Sequence, residues 1–331
     1  MIKNHKILAS TGAREKVLSI LEKGVEAALP ENVVKNSVKL KNGILTILDK
    51  EFKLKEYKNV FVIGGGKASY KMAEALNRII GERISYGYVN STANAKVGKI
   101  TINKAGHPKP DDKGVLGVKK MLSINPSKDD MAICLISGGG SAMMPLPVKS
   151  ISLEDLRKTN GLLLKAGATI FEVNTVRKHL SQISGGRLAA ELYPATVISL
   201  IISDVMGDEL SVIASGPTVA DKTCFKDAMI IIEDYGMADK VPKSVTEHLL
   251  LGVDGKAEET VKEGDERIGR VYNFVIANNI TALKAMEEEA QNQGLKPQIV
   301  NPAVNGEARE AGVVIAEEVL KAKSGAALIF G

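Results

Sequence analysis

Four short segments of this sequence hold residues whose type and spacing can do chemistry. Two are glycine-rich turns, Gly64-Gly65-Gly66-Lys67 and Ser137-Gly138-Gly139-Gly140-Ser141. Each follows a short apolar run, Val60-Phe61-Val62-Ile63 or Ala132-Ile133-Cys134-Leu135-Ile136, and each leads toward a helix-length segment. An apolar strand, then glycines, then a helix is how α/β proteins build an anion site. Glycines let backbone come close to the ligand, and a helix N-terminus offers unpaired N–H groups and a positive dipole end. A tight turn at a sheet edge is the competing explanation for the glycines alone. Lys67 is more specific. It is expected in the first helical turn, where a cation sits electrostatically uphill unless an anion is bound.

The other two segments are polar. Asn174-Thr175-Val176-Arg177-Lys178-His179 is expected to place a guanidinium and an ammonium at the start of a helix, a pair suited to carboxylate or phosphate, with a solvated basic turn as the competing reading. His179 by itself reads as a core or capping residue. Ser203-Asp204-Val205-Met206-Gly207-Asp208 puts two carboxylates just past an apolar strand, at the edge where open parallel sheets bind ligands. Two hard oxygen ligands suit Mg²⁺ with a nucleotide, and either one could instead accept a hydroxyl proton. Helix capping is the plainer role. The small-residue loop Ile213-Ala214-Ser215-Gly216-Pro217-Thr218 can pass close to a ligand. Gly106-His107-Pro108-Lys109-Pro110-Asp111 is a stiff turn in which His107 could be a site residue, with a structural role the favoured reading.

Two familiar phosphate motifs fail here. A Walker loop needs a glycine where Phe61 stands and a Ser or Thr where Ala68 stands. A dinucleotide fingerprint needs a third glycine where Ser69 stands, and the next strand ends in Asn90-Ser91-Thr92 without the acid that would bind ribose.

These segments need a scaffold, and the apolar pattern supplies one. Residues 13–29 read as a helix with Val17, Ile20, Leu21, Val25 and Ala28 on its apolar face. Residues 39–48 read as a small hairpin or an edge strand around Asn42-Gly43. Strands at 59–63, 86–89, 132–136 and 197–202 alternate with helical stretches. Ser152 with Asp155 marks a helix start. A second helix is expected from about 174 to 192, broken at Gly185-Gly186, and another over 226–252. After a charged stretch at 255–265, a new strand–helix–strand pattern runs from 272, through a helix at 280–293, a strand at 298–301 and a helix at 306–323, to a strand at 326–330. Strands separated by helix-length segments predict βαβ units and a parallel sheet.

Composition narrows the function classes. The chain has 331 residues, enough for about two domains, with 44% hydrophobic and 25% charged residues. It has no Trp and only 4% aromatic residues, few platforms for stacking single-stranded nucleic acid. The net charge of +5 is interleaved along the chain and reads as a solvated surface. Two distant cysteines, Cys134 and Cys224, make no disulfide framework, and no apolar stretch is long enough for a signal peptide or a membrane span. A cytoplasmic location is expected.

Taken in order, several stretches resemble the type II glycerate kinases, whose C-terminal part is called MOFRL. They are Val62-Ile63-Gly64-Gly65-Gly66-Lys67-Ala68-Ser69, Gly106-His107-Pro108, residues 135–142, Val176-Arg177-Lys178-His179-Leu180-Ser181, residues 203–210, residues 213–218, and Gly306-Glu307-Ala308-Arg309. The resemblance implies a Rossmann-like parallel-sheet domain over 1–254, a smaller α/β domain of MOFRL type from 255 to 331, and a cleft between them holding the site. It implies ATP-dependent phosphorylation of D-glycerate, most simply at the 2-hydroxyl, with Mg²⁺ or another divalent cation. Lys67 falls on the family's active-site lysine, Asp204 and Asp208 on its acidic pair, and Arg177 and Lys178 on its basic segment. The glycine turns, with Ser137, Ser141, Ser215 and Gly216, are assigned to phosphate and substrate. The expected partners are glycerate and ATP, not nucleic acid or membrane, with the protein a monomer or homodimer. A nicotinamide-dependent hydroxypyruvate reductase and a non-catalytic anion-binding module are the rival readings. Two departures stand out. Ser184 occupies a position where the family usually has Lys. The family also continues past Gly331 with a Gly-Gly-Glu-Thr turn, so the chain is expected to be incomplete at its C-terminus and, alone, nearly inactive.

Overall fold

In the computed structural model, which describes residues 2–331, the chain forms two compact units. The larger runs from Val34 to Ile276. It opens with a small antiparallel meander of β1 (Val38–Lys41), β2 (Ile44–Ile47) and β3 (Lys50–Lys53). Asn42 and Gly43 both have left-handed backbone, at φ 52° and 76°, as a two-residue hairpin turn requires.

Next come β4 (Val60–Gly65), β5 (Ile84–Ser91), β6 (Ala95–Val97), β7 (Ile100–Lys104), β8 (Met131–Ser137), β9 (Thr196–Ile202) and β10 (Val271–Ala277). They form one sheet in the order β10-β9-β8-β4-β5-β7-β6. The ladders β4–β5, β4–β8, β5–β7 and β8–β9 are parallel, and β6 joins β7 antiparallel. Every residue of β8 is buried, as expected where helices cover both faces of a parallel sheet. Around it packs a core of Ile63, Val118, Met121, Leu188, Val197 and Ile201. Cys134 lies inside that core, and burial pushes its thiol up to about 12. A second apolar cluster is built by helices, with Leu163, Val173, Phe225 and Leu249 at its centre.

Strand order decides where a ligand can sit. From β4 the chain moves outward through β5 and β7, then returns to β8 on the other side of β4 and proceeds to β9. The reversal lies between β4 and β8. Ligands in such sheets bind outside the carboxyl ends of the strands at that switch point.

The second unit joins the residues up to Val33 with Ala277–Gly331. It carries the parallel pair β11 (Lys296–Asn301) and β12 (Ala326–Phe330). Its Gly12–Ala27 helix lies on the Asn279–Asn292 helix, where Ser19 Oγ donates to Glu289 Oε1 at 3.1 Å.

Four sequence expectations need correction. The division expected at 254/255 falls at 276/277 instead, and the N-terminal residues go with the C-terminal ones. The cause is β10, which lies beside β9 in the large sheet. Just before it, the Arg270 guanidinium donates to the carbonyls of Lys128 and Pro194 and to Thr196 Oγ1. The first long helix buries Leu18, Ile20 and Gly24, while Val17, Leu21 and Val25 of the expected face are exposed. Gly24 sets this choice, because a Cβ there would lie 2.6 Å from Met286 Cγ. The expected helix over 226–252 is two, Phe225–Asp234 and Lys243–Val253. Gly236, at φ 58°, ends the first, and Pro242 caps the second. The helix expected from about 174 starts earlier, at Ile170, and ends at His179; past the expected break at Gly185-Gly186 it resumes as Arg187–Glu191, and the earlier start has consequences for the site. Among the described residues, no helix is long and apolar enough to cross a membrane.

Candidate active site

Both glycine turns emerge at the switch point, side by side. Gly65 of β4 pairs with Ile136 of β8, so the two strands end together. The turns then bond to each other. Lys67 N donates to Gly138 O at 2.9 Å, Ala68 N to Ser137 Oγ at 3.0 Å, and Gly66 N to Asn90 O at 3.1 Å. The first turn therefore spends its amides inside the chain. Gly64, Gly65 and Gly66 are structural, and only the Lys67 side chain is left to meet an anion. Ser137 is fully buried and serves the same joint. The second turn differs. The amides of Gly138, Gly139, Gly140 and Ser141 find no acceptor among the described residues. Four unpaired donors on consecutive residues suit phosphate oxygens. Lys67 itself precedes the Ser69–Ile80 helix by two residues rather than lying in its first turn, still near the positive end.

Three side chains converge on this turn from different strand ends. Asp204 follows β9, and its Oδ2 lies 3.6 Å from Lys67 Nζ, with both side chains about half exposed. So loose and wet a pair contributes little stability and leaves both charges open to a ligand. A Cβ on Gly138 would drive into the Asp204 carboxylate, with Oδ1 at 2.9 Å. On Gly139, at φ 84°, a Cβ would lie 2.8 Å from His107 Cδ2 and 3.3 Å from Lys67 Cγ. His107 is exposed and stands over the turn, so the structural role given to it from sequence understates it. The usable signal is its place three residues past the end of β7, at the same sheet edge as the other groups. Asp208 comes four residues after Asp204 in a short turn, Met206–Asp208, with its own backbone at φ 53°. Among the described residues, no three acidic, His or Cys side chains gather as a metal cage.

Ser141 connects the turn to the interior. Its Oγ lies 2.8 Å from Ser215 Oγ, which donates to Asn174 Oδ1 at 2.7 Å. Ala214, Ser215 and Gly216 are all left-handed, at φ 51°, 62° and 59°. Two non-glycine residues in that region cost energy, and such strain collects at functional sites. Gly185 N and Gly186 N hold the loop by donating to Ser215 O and Gly216 O. Ser215 and Gly216 were expected at the ligand; both are buried, and Ser215 reaches the site only through Ser141.

Arg177 and Lys178 are the largest correction. They lie in the last turn of the Ile170–His179 helix, not at a helix start. There the dipole favours cations, so the pair by itself requires no anion. Lys178 is buried, and its Nζ bonds Asp221 Oδ1 at 2.5 Å. Burial works against the Asp221 carboxylate, but Lys178 and Thr223 outweigh it and hold the group below its ordinary range. The charge of Lys178 is thus neutralised within the fold. Arg177 is different. Its Nε donates only to Asn160 Oδ1 at 3.2 Å, and no carboxylate pairs with it among the described residues. Burial lowers its guanidinium to about 10, the mark of a cation short of both water and a counter-ion. Ser184, where the family usually carries Lys, donates to Ser181 Oγ at 3.0 Å.

Behind the helix, His179 is sealed, with Nδ1 2.8 Å from Thr175 O and Nε2 2.9 Å from Glu259 Oε1. This is the core role expected of it. Burial raises the Glu259 carboxyl, but His179 and the amides of Thr260 and Phe225 outweigh that and hold it at about 2. A folded value below the ordinary 4.5 adds stability that is full above pH 4.5 and is lost as pH falls toward 2. Glu259→Gln should therefore melt lower than wild type at pH 7 and lose less on acidification. Melting curves from pH 7 to 2.5 check this, and parallel profiles for the two proteins would refute it.

Comparison with known proteins follows the same lines. A family model described as a domain of unknown function (DUF4147) matches residues 16–250. Glycerate 2-kinase of Pyrococcus horikoshii is 44% identical over 304 residues, covering 91% of this chain and 68% of that protein. The crystal structure of glycerate kinase from Thermotoga maritima superposes with a TM-score of 0.80 at 33% identity, over 96% of this chain and 73% of its own. A protein of Agrobacterium vitis that carries the provisional name hydroxypyruvate reductase is 42% identical over 266 residues, 79% of this chain and 58% of that protein.

Proposed function

Since the chain belongs to the type II glycerate kinase family, we propose that the protein transfers the γ-phosphoryl group of ATP to the 2-hydroxyl of D-glycerate. The observation that carries this is the pairing of Lys67 and Asp204 over a turn whose four amides are free. Phosphoryl transfer needs positioning and charge neutralisation more than covalent help from the protein. The amides of Gly138 to Ser141 hold phosphate oxygens. Lys67 neutralises charge on the transferring group. The substrate hydroxyl oxygen attacks phosphorus, Asp204 takes its proton, and ADP leaves. Arg177 holds the glycerate carboxylate, a role supported by its missing counter-ion; Lys178, bound to Asp221, does not. For a divalent cation the donors are Asp204 and Asp208. Two carboxylates plus nucleotide phosphates are an ordinary Mg²⁺ set, and the bound ion would neutralise phosphate charge.

The test is direct. Full-length protein is incubated with ATP, Mg²⁺ and D-glycerate, and the product is identified by phosphorus NMR. Formation of 2-phosphoglycerate is expected. Formation of 3-phosphoglycerate would move the reacting oxygen, and no phosphoryl transfer would remove the reading. The reductase alternative predicts NADH oxidation with hydroxypyruvate; the missing fingerprint glycine and acid argue against it, and no absorbance change is expected. The two carboxylates should separate as well. Asp208→Asn, which loses only a metal ligand, should regain activity with raised Mg²⁺, and Asp204→Asn, which also loses the proton acceptor, should not. Wild-type rates for both at low Mg²⁺ would reduce the acidic segment to a turn. We place the protein in the cytoplasm, in keeping with its two free cysteines, as a monomer or homodimer.

A further inference from the structure

Ser141 ends the free-amide turn, and counting protons around it determines what its side chain can do. Asn174 Oδ1 is a carbonyl oxygen and only accepts, so the 2.7 Å bond from Ser215 uses the one hydroxyl proton Ser215 has. The 2.8 Å contact between Ser141 and Ser215 must then run from Ser141 as donor to Ser215 as acceptor. Ser215 is fully buried and Asn174 nearly so, which protects this direction from water. Ser141 is only half-buried, on the turn that Asp204, His107 and Lys67 surround. Its Oγ therefore has its proton already committed and only lone pairs to offer. An ionised phosphate oxygen, also an acceptor, gains nothing from that atom. A ligand hydroxyl does.

We propose that Ser141 Oγ accepts a hydrogen bond from a ligand hydroxyl, that of glycerate which is not phosphorylated, and that Ser215 and Asn174 are positioning residues that fix its polarity. This reverses the phosphate-donor role expected of the Ser141 side chain, and it rests on the glycerate kinase reading. A nucleotide ribose offers the same chemistry, so the experiment separates the two sources.

In full-length protein, kcat/KM is measured for D-glycerate against D-lactate, which lacks the 3-hydroxyl, and for ATP against 2′-deoxy-ATP. Wild type, Ser141→Ala and Ser215→Ala are compared, each with its melting temperature. Wild type should favour glycerate over lactate by roughly 10-fold or more, since a site built to bond a hydroxyl rejects the analogue without one. Ser141→Ala should bring that ratio to within about 3-fold by losing glycerate rather than gaining lactate. Ser215→Ala, which frees the Ser141 proton, should lower the ratio partway. Collapse of the ATP ratio instead would keep the hydroxyl acceptor and assign it to ribose. Survival of both ratios in a folded Ser141→Ala protein, or rescue of that variant by raised Mg²⁺, would overturn the proposal. Failure of wild type to phosphorylate glycerate at all would instead strike the underlying function.

Discussion

Lys67→Ala is expected to lower kcat/KM for ATP-dependent glycerate phosphorylation by about 10²-fold or more, the loss seen when one strong charge-assisted contact is removed from a transition state. The melting temperature should hardly move. Lys67 is half exposed, its one ion pair among the described residues is a loose 3.6 Å contact with Asp204, and its backbone bond to Gly138 O survives in the variant. That combination, a large kinetic loss with an unchanged fold, distinguishes a substrate contact from a structural one. Lys67→Arg should recover little. The guanidinium is a planar fork, and the space beside Gly139 is already shared by the Lys67 stem and the His107 ring. The first turn has no free amide in reserve, because Gly66, Lys67 and Ala68 all donate within the chain. Near-normal turnover in Lys67→Ala would therefore leave this side of the site with no role at all.

How much of this could be read beforehand depended on whether the signal was local. The apolar runs of β4, β8 and β9 were legible because a doubly covered parallel sheet writes itself as uninterrupted aliphatic residues, and the groups just past their ends, Lys67, Gly138 and Asp204, were legible with them. The polarity of Arg177 and Lys178 was missed for an identifiable reason. Thr169-Ile170-Phe171-Glu172 is a capping box, with Thr169 and Glu172 bonding each other's backbone. It starts the helix at Ile170 and puts the two cations in its last turn. The relay from Ser141 through Ser215 to Asn174 joins residues 41 positions apart at its inner step, and no sequence pattern announces it. The domain division was hidden likewise, since the first long helix finds its partner near the other end of the chain.

Gly64→Ala should be the most damaging single-methyl change in the large unit. Gly64 has φ 129°, which side-chain-bearing residues rarely adopt, and a Cβ there would drive into the Leu135 carbonyl oxygen, with Leu135 N at 2.7 Å. The obstacle is backbone, in a neighbouring strand whose every residue is buried, and Gly64 and Leu135 are ladder partners. Neither strand can retreat without breaking the pairing at the switch point. Backbone strain of about 1–3 kcal/mol plus a similar overpacking cost takes much of the ~5–15 kcal/mol that holds a typical protein folded. A melting temperature lower by about 10 °C or more, or insoluble protein, is expected. Gly138→Ala is the informative contrast. There the methyl meets the Asp204 carboxylate, a half-exposed side chain that can swing away. That variant should fold and melt close to wild type yet lose glycerate phosphorylation, because Asp204 leaves its place beside Lys67. Thermal melts and single-substrate kinetics on the two proteins separate backbone clash from side-chain displacement. A Gly64→Ala protein that melts like wild type would mean that the two central strands are not locked as tightly as their spacing requires.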